Sequence, residues 1–138
     1  MINKELIELF CEEFNIKNYY INDDYSINVY QNVVLDNFIG DELPIKFNKV
    51  IGYFSCIKSN IKSFKNFPNL IELSFYFQSN TIENFHGFPK TVKGRTVLWG
   101  STIKSLDGYN GSIKRLNIED KYKLIRKLKL TKLLNDIL

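Results

Sequence analysis

The sequence predicts an α/β fold: a solenoid of short stacked coils with a parallel sheet, flanked by helices. The main observation is a 21-residue repeat, in which Ile61, Ile82 and Ile103 open equivalent segments of the chain. The same spacing recurs in a column of aromatic residues, Phe67, Phe88 and Tyr109. A unit of about 20 residues cannot bury its own apolar side, so such repeats stack on one another and share one core. With 138 residues, 44% of them hydrophobic, the chain is suited to a single domain with a continuous core.

The N-terminal part of the chain predicts a helix followed by a hairpin. In residues 3–14 the apolar residues recur at helical spacing, and Asn3 is suited to the N-cap position. Two short strands are predicted over 19–21 and 26–30, about a polar turn. The adjacent Asp23 and Asp24 in that turn raise calcium binding as an alternative. The turn lacks the ligand spacing of an EF-hand, however, which favours a solvated turn.

Each repeat predicts one strand and one bend. The side chains expected to face inward alternate along the strands: Val33 and Leu35, Phe54 and Cys56, Phe75 and Phe77, Thr96 and Leu98. Three residues after each pair comes the column Phe38, Ser59, Asn80 and Ser101. We expect a polar side chain in this column to turn inward and to bond to the backbone of the bend, which would otherwise hold unpaired polar groups.

The last repeat and the C-terminal segment indicate where the stack ends. A fifth strand over 113–119 is degenerate, because Asn117 and Glu119 occupy columns that are apolar in the other coils. Residues 120–138 are rich in leucine and lack glycine and proline, which predicts a helix. A solenoid needs its open ends covered. The predicted single domain therefore has an N-terminal cap over 1–28, repeats over 29–118 and a C-terminal helical cap over 119–138.

Composition and cysteine usage narrow the class of protein. A net charge of +4 and a pI near 9.0 permit acidic or nucleic-acid partners without requiring them. The start of the chain lacks the pattern of a secretion signal, and no apolar run reaches the length of a membrane span, so we expect a cytoplasmic protein with no membrane partner. Cys11 and Cys56 lack the spacing of a zinc site and fall on apolar positions, which predicts reduced core residues.

The repeats resemble a known family. The segment Phe75-x-Phe77-x-x-Asn80-x-Ile82 is similar to the short leucine-rich repeat, L-x-x-L-x-L-x-x-N-x-L. More closely, the units resemble small repeat proteins encoded by bacteriophages and low-GC bacteria, and the matching segments are Gly52-Tyr53-Phe54-Ser55-Cys56, Ile61-Lys62-Ser63-Phe64 and Leu106-Asp107-Gly108. The resemblance covers about residues 29–118, and it departs from the pattern at Ser59 and Ser101, which stand at the asparagine position.

This resemblance implies an interaction scaffold with a concave sheet face, and says little about chemistry. The residues predicted to bind a protein partner on that face are Tyr53, Ile57, Lys58, Tyr76, Gln78, Arg95, Val97 and Trp99. Tyrosine, tryptophan and arginine are enriched in binding hot spots. The alternatives are that another part of the chain covers these residues, or that strand propensity alone selected them. The phage-like pattern further implies an inhibitor of a host defence protein, such as a CRISPR nuclease, acting in the host cytoplasm.

A second candidate surface is the basic part of the C-terminal segment. The residues that would contact nucleic acid there are Lys121, Lys123, Arg126 and Lys127. The alternative is the solvated outer side of a helix, with cations near the helix C-terminus.

Catalytic constellations are not apparent in the sequence. His86 is the only histidine, and the 21-residue register places no cysteine or serine beside it. The adjacent Glu12 and Glu13 diverge on a helix, unlike the paired carboxylates of acid–base catalysis. We therefore expect no catalytic residues, no metal site and no cofactor, and the sequence predicts a non-enzymatic binding module.

Overall fold

The computed structural model describes residues 3–109, 116–117, 126, 129–130, 133–134 and 136. Over these residues the chain forms a parallel β-solenoid of about four coils, preceded by a helix and an antiparallel hairpin. The elements are α1 (Lys4–Glu13), β1 (Tyr19–Ile21), β2 (Ile27–Val29), β3 (Val33–Val34), β4 (Phe47–Val50), β5 (Phe54–Ser55), β6 (Leu70–Ile71), β7 (Phe75–Tyr76), β8 (Thr81–Ile82), β9 (Thr91–Val92), β10 (Thr96–Val97), β11 (Thr102–Ile103) and β12 (Leu116–Asn117).

Helix α1 lies against the first coil. Its N-cap is Asn3, as predicted, whose side-chain oxygen accepts a hydrogen bond from the Leu6 backbone N–H at 2.9 Å. The ring of Phe10 reaches into the core, with its centroid 6.2 Å from that of Phe47 and 6.4 Å from that of Phe38. These contacts place α1 at the N-terminal end of the stack. Its role as a cap remains a prediction.

The predicted hairpin is confirmed, with β1 antiparallel to β2. In the turn between them, one carboxylate oxygen of Asp24 accepts hydrogen bonds from the Ser26 hydroxyl at 2.6 Å and the Ser26 backbone N–H at 3.0 Å. These bonds, with a smaller effect from Lys46 at 3.4 Å, lower the pKa of Asp24 to about 2. The side chain therefore closes the turn on itself, as a solvated Asx-type turn does.

The coils build two main sheets. Sheet A has the strand order β1-β2-β4-β6-β9, and sheet B has the order β12-β10-β7-β5-β3. Strands β8 and β11 form a further parallel pair, in which Ile82 lies opposite Ile103. In sheet B, successive partners from Val33 through Phe54 and Phe75 to Thr96 are 21 residues apart, which confirms the repeat. Of sheet A, the hairpin strands β1 and β2 were predicted, but β4, β6 and β9 and their parallel pairing were not.

The last strand of sheet B is out of the 21-residue register by one residue. Thr96 pairs with Leu116 and Val97 pairs with Asn117, a spacing of 20. The connection from β10 to β12 is thus one residue shorter than in the earlier coils. The expectation that Asn117 occupies an apolar, inward column was wrong: its register position is that of Val97, in the row between inward positions.

Phenylalanine dominates the core of the solenoid. All the side chains predicted to face inward from the sheet B strands are buried. The ring of Phe75 lies 6.0 Å from that of Phe54 in the preceding coil, and 5.7 Å from that of Phe77. Each such ring contributes about 1.5–3 kcal/mol by burial. The core is therefore continuous from coil to coil, as stacking of small repeats requires.

The polar bend column behaves as predicted. The Asn80 side chain is buried, and its oxygen accepts hydrogen bonds from the Ser59 backbone N–H at 2.8 Å and the Ser59 hydroxyl at 2.9 Å. Its amide nitrogen donates to the Cys56 carbonyl at 2.8 Å. In the next coil the Ser101 hydroxyl donates to the Phe77 carbonyl at 2.9 Å. Side chains of one coil thus satisfy the backbone of the coil before it.

A second bend column has left-handed backbone geometry in every coil, which sequence reasoning missed. Its members, with their φ angles, are Asn37 (63°), Lys58 (53°), Ser79 (58°) and Gly100 (72°). The left-handed region costs a non-glycine residue about 1–2 kcal/mol, less for asparagine. Lys58 and Ser79 adopt it because their N–H groups donate across coils to the carbonyls of Gln78 and Trp99.

Most of the predicted C-terminal helix lies outside the described residues. Of that segment the structure describes Arg126, Lys129, Leu130, Leu133, Leu134 and Asp136, which are helical in backbone and exposed. The helix over 119–138 and its role as a cap remain predictions.

Candidate interaction surface

The outer side of sheet B carries an aromatic strip, formed by Tyr53, Tyr76 and Trp99. Strand alternation places it there: in β7, Phe75 is fully buried while the next residue, Tyr76, is half-buried and faces outward. Trp99 is 47% exposed. Large aromatic side chains held at a surface are a feature of binding sites more than of solvated faces.

The eight residues predicted to bind a partner all map to the outer side or the following bend of sheet B. The half-buried ones are Tyr53, Ile57, Tyr76 and Gln78, and the exposed ones are Lys58, Arg95 and Trp99. Val97 is only 8% exposed, so it offers little contact area. The strands that carry these side chains are neighbours in the sheet, which brings residues 21 or more positions apart onto one surface.

The aromatic strip is held in place before any partner binds. The rings of Tyr53 and Tyr76, from adjacent coils, meet edge to face with centroids 5.8 Å apart and an interplanar angle of 77°. The Trp99 indole N–H donates a hydrogen bond to the side-chain oxygen of Asn117 on β12. Because these contacts already restrict the three side chains, binding would cost little conformational entropy.

Short polar side chains anchor the edges of the strip. An oxygen of Asp36 accepts from the Ile57 backbone N–H at 2.9 Å and from a serine hydroxyl of β5. In the same way the Asn32 side chain accepts from the Tyr53 backbone N–H at 2.9 Å. In these two bonds the backbone N–H donor and the side-chain acceptor are 21 residues apart. The repeat spacing could therefore have revealed Asp36 and Asn32 as supporting residues. Asp36 and Asn32 hold the backbone beside strands β3 and β5, which are only two residues long.

Gln78 differs from its neighbours, because its side-chain oxygen is buried and has no hydrogen-bond partner among the described residues. Gln78 lies in the same row as Ile57 and Trp99, one coil from each. Turning this oxygen towards a donor on a bound partner would break no existing hydrogen bond. A buried acceptor without a partner is costly, so such a rearrangement would be favourable.

The outer side of sheet A provides a contrast. There the side chains of Asn28, Asn48 and Asn69 form a ladder, with amide-to-oxygen distances of 2.8 and 3.2 Å between successive rungs. Beside it, the Lys93 ammonium lies 3.1 Å from the Glu72 carboxylate. These polar groups pair with one another and with solvent, which is the behaviour of a solvated face.

Groups with catalytic potential lie elsewhere and are not clustered. Burial raises the pKa of the Cys56 thiol to about 12 and that of the Cys11 thiol to about 11, so both are protonated at neutral pH and poorly nucleophilic. His86 is exposed. Among the described residues, no three His, Cys, Asp or Glu side chains come together as metal ligands would. Within the same residues, no helix has the length and apolar character that crossing a membrane requires.

A comparison of this chain with models of known protein families, with curated proteins and with solved structures finds no match. The fold and the surface therefore define the class on their own: a repeat protein of solenoid architecture with parallel sheets.

Proposed function

We propose that this protein is a non-enzymatic interaction module, which binds a protein partner through the outer side of sheet B. The observation that carries the proposal is the difference between the two outer faces. Sheet B presents the aromatic strip, whereas the residues of the sheet A strands β4, β6 and β9 that are not buried include no aromatic one: they are Asn48, Lys49, Leu70, Thr91 and Val92. Strand propensity acts on both sheets alike, so it does not explain why aromatic side chains face outward on the parallel strands of sheet B and not on β4, β6 and β9. In sheet A the exposed aromatic residue Tyr20 belongs to β1, on the antiparallel hairpin.

The chemistry of the face supports a protein partner. The aromatic strip offers rigid, amphipathic contact area, and the exposed Arg95 beside it adds a donor suited to carboxylates and carbonyls. The edge-to-face Tyr53 and Tyr76 pair and the bonded Trp99 indole form a preorganised centre. Such centres carry most of the binding energy in protein interfaces.

The resemblance to short leucine-rich repeats of bacteriophages extends this proposal. In this extended proposal the protein is encoded by a phage. Its partner is a host defence protein, such as a CRISPR nuclease, which it inhibits by occupying a surface of that protein. The support for this finer step is the residue pattern of the repeats, with its Phe75-x-Phe77-x-x-Asn80-x-Ile82 unit.

Nucleic-acid binding through the C-terminal segment is the alternative class. Of the four residues predicted for it, Arg126 is described and is exposed, while Lys121, Lys123 and Lys127 lie outside the described residues. This alternative predicts capture that is lost on nuclease treatment and that weakens steeply with salt.

Site-specific crosslinking tests the proposal directly. A photoreactive phenylalanine analogue at position 76 should crosslink one protein in a lysate of the native host, with or without nuclease. The same analogue at Thr91, an exposed strand position on sheet A, is the matched control and should not crosslink it.

Once the partner is purified, the variant Tyr76→Ala/Trp99→Ala should weaken binding by about 30-fold or more, the effect of losing a hot spot. The control Lys49→Ala/Thr91→Ala on sheet A should bind as the wild type does. Equal crosslinking from both faces, or unchanged affinity of the aromatic variant, would refute the assignment to sheet B.

A further inference from the structure

An apolar groove lies between helix α1 and the loop that follows β3, the first strand of sheet B. Its volume is about 440 Å³, enough for several aliphatic side chains. The residues lining it are Leu6, Leu9, Phe10, Glu13, Phe14, Asp36, Asn37, Phe38, Ile39 and Pro44. Leu9 is 58% exposed and Ile39 is 84% exposed. Burying such side chains against a partner would be favourable, and in this structure neither is covered.

The groove is acidic at its margin. The charged residues in its lining are Glu13 and Asp36. Helix α1 adds Glu5, Glu8 and Glu12, all exposed, against a single lysine at its start. An apolar trough bordered by carboxylates suits an amphipathic segment with leucines on one side and cations on the other.

The chain carries a segment with that chemistry at its other end. Residues 121–132 contain six lysine or arginine residues and no acidic residue. The described leucines in and directly after this range, Leu130, Leu133 and Leu134, have the spacing of one helix face and are half or more exposed. Arg126 and Lys129 are exposed beside them. The leucines thus present an apolar stripe that follows Arg126 and Lys129 and precedes Asp136.

We propose that the groove at α1 binds the C-terminal segment of a second copy of this chain. Within one chain the described leucines of this segment are not seated in the groove, because Leu130, Leu133 and Leu134 are half or more exposed, and so are Leu9 and Ile39 of the groove lining. The contact joins two different surfaces, so it is head-to-tail and leaves a free groove and a free tail on every pair. It is independent of the interaction proposed for sheet B.

Complementation between two variants tests this arrangement. The groove variant Leu9→Lys/Ile39→Lys places cations where the basic segment would bind, and the tail variant Leu130→Glu/Leu133→Glu removes the apolar stripe. Sedimentation velocity over a concentration series should show the full-length wild type associating, less so at high salt. Each variant alone should remain monomeric. An equimolar mixture should form a dimer that does not grow, because only one intact groove meets one intact tail.

The controls separate docking from damage to the fold. Leu73→Lys changes an exposed leucine between sheets A and B and should associate as the wild type does. Glu13→Lys reverses an exposed charge of the groove lining and leaves its apolar residues unchanged, so it tests the charge contribution and should shift association to higher concentration. Melting curves should match the wild type for all of these variants.

A wild type that is monomeric throughout the series would overturn the proposal. That result would also fit a tail bound to its own chain or to another molecule. A mixture that stays monomeric while the wild type associates would overturn it too, because the association would then use another surface. Loss of association in Leu73→Lys would also overturn the proposal, because association would then depend on a surface outside the groove.

Discussion

Side chains in the interior of the coils make their hydrogen bonds and packing contacts within the molecule, whereas those on the outer side of sheet B do so only in part. Inside, the polar groups of Asn80 bond to the neighbouring coil and the phenylalanine rings pack on several others. Outside, Tyr76 meets Tyr53, and part of each ring remains at the surface. Adjacent positions on one strand therefore carry different tasks: the inward residue holds the stack together, and the outward residue is available for binding.

The largest expected effect comes from truncating the inward and the outward residue of strand β7 in turn. Phe75→Ala removes a fully buried ring that contacts rings in its own and the preceding coil, and should lower the free energy of unfolding by about 3–5 kcal/mol. Tyr76→Ala, one residue along, should cost about 1 kcal/mol, because its ring is half-buried with one aromatic neighbour. Urea unfolding measures both. Comparable losses would mean that the outer face is part of the core.

The buried asparagine offers a second test. Asn80→Ala leaves the Ser59 N–H and the Cys56 carbonyl without their partner, which should cost about 2 kcal/mol. The matched control is Asn69→Ala on the outer side of sheet A, whose amide bonds to Asn48 in contact with solvent. It should cost less than about 1 kcal/mol. If the two variants unfold at the same urea concentration, burial of the bend column is not what makes Asn80 important.

The smallest expected effect is a gain in stability at the left-handed bend. Lys58 has a φ of 53°, where a side chain is strained and glycine is not. Lys58→Gly should therefore raise the free energy of unfolding by about 0.5–1 kcal/mol. A glycine, Gly100, already occupies the same column with a left-handed backbone. Lys90→Gly, at an exposed lysine before β9, should instead lower it by a similar amount, since glycine there only adds freedom to the unfolded chain. A loss at Lys58 would show that the strain is absent.

The parts of the fold that could be predicted are those in which the 21-residue repeat is strongest. The isoleucine column at Ile61, Ile82 and Ile103 and the inward phenylalanines determined that the chain stacks, because apolar residues at a constant spacing must share one interior. The polar bend column could also be predicted, since buried backbone groups at a recurring bend need a recurring partner. The aromatic strip followed from strand alternation alone.

What could not be predicted depends on groups distant in sequence. The one-residue shift that pairs Leu116 with Thr96 brings the Asn117 side chain to Trp99, which no periodic pattern reveals. In β4 the buried residues Phe47 and Val50 are three positions apart, so this strand lacks the alternating signature that revealed sheet B, and the parallel part of sheet A became visible only from its pairing.

The amino-acid sequence by itself determined the solenoid, its inward columns and the chemistry of its outer strip, because periodic burial is written in local spacing. Tertiary structure decided the second sheet, the register of the last strand, the left-handed bends and the groove at α1. Each of those depends on hydrogen bonds or contacts between coils, whose energies appear only when the coils are stacked.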